Sequence, residues 1–146
     1  MKIREIMTNP AIRINQEEPV SVAAILLARY NVGSLPVCTG EGKLCGVVTD
    51  RDLVTRCMAS GILPEKTTVG EIMTRGVVTV RPDADTVTAA RLMAERQIRR
   101  LPVVENGRLC GMVSLGDLAE QDASVVDATD ALTRISSNVS DPEGHL

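Results

Sequence analysis

The feature that most constrains this 146-residue chain is that it is written twice. Residues 5–37 lie without a gap over residues 71–103, with eleven of those 33 positions identical. One residue is then lost in a turn, and Leu44–Leu53 lies over Leu109–Leu118 with six identities in ten. Unrelated segments of average composition match at about 6% of positions. The two halves are therefore copies of one unit. Each is too small to be comfortable alone, so the expectation is a pair of repeats that bury their sheets against each other about a pseudo-twofold axis.

Local signals run in the same order in both copies. Alternation at Ala11–Ile14 and Val77–Val80 predicts a short strand, and the spacing of apolar residues predicts helices over Val20–Val32 and Thr86–Ile98. Leu-Pro-Val at 35–37 and 101–103 opens a second strand, with the proline where no ladder hydrogen bond is lost. Gly40-Glu41-Gly42 and Asn106-Gly107 are turn sequences, so the second strand is expected to pair antiparallel with a third at Leu44–Val48 and Leu109–Val113. A helix follows from Asp50 to Ser60, ended by Gly61, with a counterpart starting at Gly116. The fold class is therefore α+β, two β-α-β-β-α repeats, each preceded by a short helical lead-in that carries Glu-Ile-Met-Thr. The divisions are repeat 1 over residues 1–61, a linker at 62–69, repeat 2 over 70–122 and an acidic tail at 123–146. Val125, Val126, Leu132 and Ile135 have near-helical spacing in that tail, and residues 141–146 are expected to be disordered.

Composition narrows the function. No run approaches about 18 apolar residues, and the charged start, MKIREIMTNP, is unlike a signal peptide, so the chain is expected to be cytoplasmic with no membrane contact. With no Phe, no Trp and one Tyr, it has nothing to stack on bases, which argues against nucleic acid as a partner. Net charge is -3, but residues 120–146 carry -5 of it and leave the body at +2, which permits a small anion. The only His is His145, so His-dependent nucleophilic catalysis has no candidate residues. Cys38, Cys45, Cys57 and Cys110 form no Cys-x-x-Cys pair, and no metal site or cofactor is expected. Cys45 and Cys110 occupy equivalent positions before Gly46 and Gly111, the pattern of a small reduced core residue inherited by both copies.

Two short motifs carry chemistry. Thr49-x-x-Asp52 and Ser114-x-x-Asp117 have the spacing of a capping box at a helix start. A helix start at a strand end also presents free N–H groups to a phosphate, and a carboxylate there can accept bonds from both hydroxyls of a ribose. Spacing leaves both roles open. Before each Leu-Pro-Val the copies differ: Val32-Gly33-Ser34 is small and neutral, whereas Ile98-Arg99-Arg100 carries two guanidinium groups suited to phosphate or simply to solvent.

Taken together, Val-Gly-Ser-Leu-Pro-Val and Ile-Arg-Arg-Leu-Pro-Val, followed by Gly46-Val-Val-Thr49-Asp-Arg-Asp52 and Gly111-Met-Val-Ser114-Leu-Gly-Asp117, resemble a tandem pair of cystathionine beta-synthase (CBS) domains, a Bateman module. The resemblance covers residues 1 to about 119. It implies a stand-alone regulatory module, not an enzyme, that binds an adenosine-containing ligand such as AMP, ADP, ATP or S-adenosylmethionine. It also implies mixed clefts, one joining Met112, Ser114 and Asp117 to Ile12, Val32 and Gly33, the other joining Val47, Thr49 and Asp52 to Val78 and Ile98. Arg99 and Arg100 would meet the phosphates. Arg13 stands where the second copy has Thr79, and Leu115-Gly116 replaces Asp50-Arg51, so the two sites are expected to be unequal. A different reading is a ligand-free structural or stress-related dimerisation module whose Thr/Ser-x-x-Asp motifs are caps and nothing more. A small nucleotide hydrolase needs paired carboxylates at metal spacing, which are missing outside Asp50 and Asp52. A homodimer is expected from the helix Val20–Val32, where Ile25 and Tyr30 replace Arg91 and Arg96, and an unidentified protein partner would receive the signal.

Overall fold

A computed structural model describes residues 1–121; the tail helix and the terminal disorder expected from the sequence both lie outside the described residues. The elements are β1 (Ile14–Asn15), α1 (Val20–Tyr30), β2 (Ser34–Cys38), β3 (Leu44–Thr49), α2 (Asp50–Asp52), α3 (Val69–Ile72), α4 (Thr86–Arg96), β4 (Arg100–Glu105), β5 (Arg108–Ser114) and α5 (Leu115–Gln121). A 3-10 turn at Ile3–Glu5 opens the chain. The mixed α+β composition and the doubled order of parts agree with the sequence reading.

The chain divides into two compact units. One holds residues 11–78 with 106–109; the other holds residues 1–10, 79–105 and, of the described residues, 110–121. The lead-in of each repeat is thus grouped with the body of the other. In the first unit β1 pairs parallel with β2 (Ile14 opposite Val37), and β2 pairs antiparallel with β3 (Ser34 opposite Thr49). Its core gathers Ile14, Val20, Ala23, Leu27, Leu35, Val37 and Val48 with Cys57, Val69 and Ile72. In the second unit β4 and β5 form a two-stranded sheet. Ile3, Met93, Leu101, Val103, Val113 and Leu118 are fully buried there.

Boundaries depart from the sequence reading for identifiable reasons. The strand expected at Ala11–Ile14 is Ile14–Asn15, and its counterpart shrinks to one parallel bridge, Val80 opposite Val103. Both long helices stop two residues early, because Asn31 and Gln97 adopt the left-handed conformation (φ 52° and 54°) and close the last turn. The helix expected from Asp50 to Ser60 is α-helical only to Asp52 and continues as a π-helix over Leu53–Met58. There the Thr55 hydroxyl donates to the Arg51 carbonyl (2.8 Å), taking an acceptor that an α-helical amide would use.

The duplicated Cys-Gly pair has a purpose that spacing did not reveal. A Cβ on Gly46 would lie 2.8 Å from the Thr74 carbonyl oxygen, and one on Gly111 would lie 2.6 Å from that of Thr8. Glycine at both sites lets a lead-in segment press its backbone onto the third strand. Pleating turns Gly46 inward and leaves Cys45 and Cys110 only partly buried, which corrects the expectation of buried thiols there; Cys38 and Cys57 are the buried ones. Cys45 Sγ lies 3.3 Å from the Val37 carbonyl as a weak donor.

Candidate functional site: two strand-to-helix corners

In the unit of residues 11–78, β3 delivers the chain into α2 at Thr49, whose extended backbone ends the strand. The capping box closes in both directions: the Asp52 amide donates to Thr49 Oγ1 (3.0 Å) and the Thr49 amide donates to Asp52 Oδ2 (3.0 Å). Asp52 is buried at 6% exposure, and a buried carboxylate needs further partners. It has them. The Thr74 hydroxyl lies 3.2 Å from both carboxylate oxygens, and Arg56 Nε lies 3.6 Å from Oδ1. Arg56 also donates to the Met73 carbonyl (3.1 Å), while Val47 and Thr74 exchange backbone bonds of 2.9 and 2.8 Å.

In the other unit β5 enters α5 at Ser114 with the same box. The Ser114 amide donates to Asp117 Oδ2 (2.8 Å) and the Asp117 amide donates to Ser114 Oγ (3.0 Å). Thr8 and Met112 exchange backbone bonds (2.8 and 3.1 Å) as Thr74 and Val47 do. The resemblance ends at the carboxylate. Asp117 is half-buried, and among the described residues its Oδ1 has no protein partner. Gln121 stands at the position corresponding to Arg56, and Leu115 at that of Asp50.

The turn before each Leu-Pro-Val lies at the corner of its own repeat. The Asp50 amide donates to the Gly33 carbonyl (3.0 Å), and the Leu115 amide donates to that of Arg99 (2.8 Å). The resemblance assigns Val32 and Gly33 to the Ser114 corner and Ile98 to the Thr49 corner. Each turn sits at its own corner because antiparallel pairing puts the start of β2 opposite the end of β3. The first corner therefore combines Gly33 with the Asp50 and Asp52 carboxylates, and the second combines Asp117 with the exposed Arg99 and Arg100. Val47, Val78, Ile98 and Met112 are half-buried and Ile12 is exposed.

Thr74 and Arg56 were not anticipated. The signal was present: Thr closes the Glu-Ile-Met-Thr repeat in both copies, and Arg56 lies four residues after Asp52, one helical turn away. Among the described residues there is no group of three or more His, Cys, Asp or Glu that could hold a metal, and no helix long and apolar enough to cross a membrane.

The CBS domain family model matches residues 3–59 and again 69–124. The CBS domain-containing protein YhcV of Bacillus subtilis is 39% identical over 134 residues, spanning 92% of this chain and 94% of that one. Two solved structures are similar at 29% identity, each covering 85% of this chain and 97% of its own. One is CBSX2 in complex with AMP (TM-score 0.73), and the other is the CBS domain pair of protein MJ0100 with 5′-methylthioadenosine and S-adenosyl-L-methionine (TM-score 0.71).

Proposed function

The chain belongs to the CBS domain family as a tandem pair, and on that premise we propose that it is a regulatory module that senses an adenosine-containing ligand. The observation that carries this reading is the Asp117 carboxylate: one oxygen holds its own helix start, and the other is unengaged among the described residues, at the corner where the Leu115 amide meets the Arg99 carbonyl. Such an oxygen can accept ribose hydroxyls at no cost to the cap. Arg99 and Arg100 supply guanidinium forks for phosphate, and Ser114 supplies a hydroxyl. With no aromatic side chain at hand, adenine lies against aliphatic groups such as Met112 and Ile98. The ligands bound by CBSX2 and by MJ0100 share the adenosine moiety, which supports that class. No step of chemistry is asked of these residues, and the module works as a homodimer that passes a change of shape to a protein partner.

The competing reading takes the closed boxes at Thr49 and Ser114 as caps and nothing more. Isothermal titration with AMP, ATP and S-adenosylmethionine separates the two. The sensing module binds at least one of them saturably; a structural module gives no heat with any.

A further inference from the structure

We propose that the first corner is not a ligand site but an internal latch, in which Thr74 and Arg56 occupy Asp52 and hold the second lead-in segment onto β3. Three observations converge on it. Asp52 is buried, and its two oxygens are taken by the Thr49 amide, the Thr74 hydroxyl and Arg56. Arg56 ties the same carboxylate to the Met73 carbonyl, so the contact spans from the helix after β3 to the end of α3. At Gly46 the lead-in backbone is so close that a Cβ would lie 2.8 Å from the Thr74 carbonyl oxygen. At 6% exposure, with these groups packed on it, the Asp52 carboxylate presents little surface to a ribose hydroxyl. Asp50 adds a second carboxylate at the turn where the other repeat places Arg99, which disfavours any phosphorylated ligand there.

The consequence, which rests on the nucleotide reading, is that one ligand binds per chain, at the Asp117 corner. Duplication has left two copies of one motif with different duties. The residues that separate them are Arg56, Gly33 and Ser34 at one corner, and Gln121, Arg99 and Arg100 at the other, while the lead-in threonine is common to both.

The test has two arms, both on the full chain. Without ligand, Asp52→Asn and Thr74→Val are each expected to lower the melting temperature by about 2–6 °C, and the double variant by no more than the larger single loss. Thr74→Ser, which keeps the hydroxyl, retains the wild-type melt. Additive losses, or an equal loss with Thr74→Ser, overturn the latch. With AMP as the probe, the wild type is expected to bind one equivalent. Asp52→Asn keeps its affinity within about threefold, while Asp117→Asn loses about thirtyfold. Two equivalents in the wild type, or equal losses in the two variants, overturn the assignment. No heat from AMP, ATP or S-adenosylmethionine in the wild type sinks the nucleotide reading instead, and the melting cycle still decides the latch.

Discussion

Thr74 Oγ1 sits 3.2 Å from each carboxylate oxygen of Asp52. Its counterpart Thr8 makes no side-chain bond to Asp117 among the described residues, although both threonines exchange a pair of backbone bonds with the strand beside them. The backbone frame is thus shared between the repeats and the side-chain wiring is not. A carboxylate enclosed by partners is a stability element, whereas one with an unengaged oxygen is available to a ligand.

The shared frame predicts that both glycines are intolerant. Gly46→Ala and Gly111→Ala each drive a methyl group into backbone carbonyl oxygen and methionine sulfur, so each is expected to cost about 1–3 kcal/mol. Urea unfolding of the two variants measures this, and a wild-type midpoint for either would mean that the lead-in is not pressed on the strand. Gly76, with open space around its Cβ direction, has no such contact.

Phosphate recognition is predicted to reside in Arg99 and Arg100. Alanine at either is expected to weaken AMP by about tenfold while leaving adenosine nearly unchanged, because the lost bonds are to phosphate alone. Parallel titrations with the two ligands give the ratio. Equal weakening of both ligands would place these side chains on the nucleoside or make them structural.

Much of this was legible in the sequence, and the part that was not has a physical cause. Repetition exposed the strand, helix, hairpin and helix order, and the Thr/Ser-x-x-Asp spacing located both corners and their caps. Hidden were the contacts that depend on which backbone lies against which. Gly46 and Gly111 advertise a close approach without naming the approaching segment. Thr74 is 22 residues from Asp52, so no local spacing joins them. The same holds for the turn before Leu-Pro-Val, whose place at its own repeat's corner follows from hairpin register rather than from composition.

The thiols give a pH prediction. Burial raises Cys38 and Cys45 above the ordinary thiol value of 9.0, with Arg13 opposing the shift at Cys38 and Arg75 at Cys45. The folded state therefore keeps protons that the unfolded chain releases. Stability is whole below that value and falls as pH rises through it toward the raised folded values. Denaturation midpoints at pH 8 and pH 10 are expected to show the fall, and Cys38→Ala to reduce it. A midpoint independent of pH over that window, in the wild type, would contradict the assignment.

Self-association is predicted through α1. Ile25 is 54% exposed and Tyr30 47%, where the second copy carries Arg91 and Arg96. Apolar surface presented on one helix in this way suits a second copy of the chain. Light scattering at micromolar concentration is expected to give twice the chain mass of 15.6 kDa, and Ile25→Arg with Tyr30→Arg to return it to the single value. A monomeric wild type excludes this interface.

The most direct test of the account is calorimetric titration of AMP into the wild-type chain and into Asp117→Asn. Asparagine keeps an acceptor for the Ser114 amide, so the fold is retained at a cost well under about 1 kcal/mol. What it removes are charge-assisted bonds to two ribose hydroxyls, worth about 2 kcal/mol together. The account predicts saturable binding to the wild type and about thirtyfold weaker binding to the variant, with nearly the same melting temperature. Unchanged AMP affinity in Asp117→Asn would contradict it.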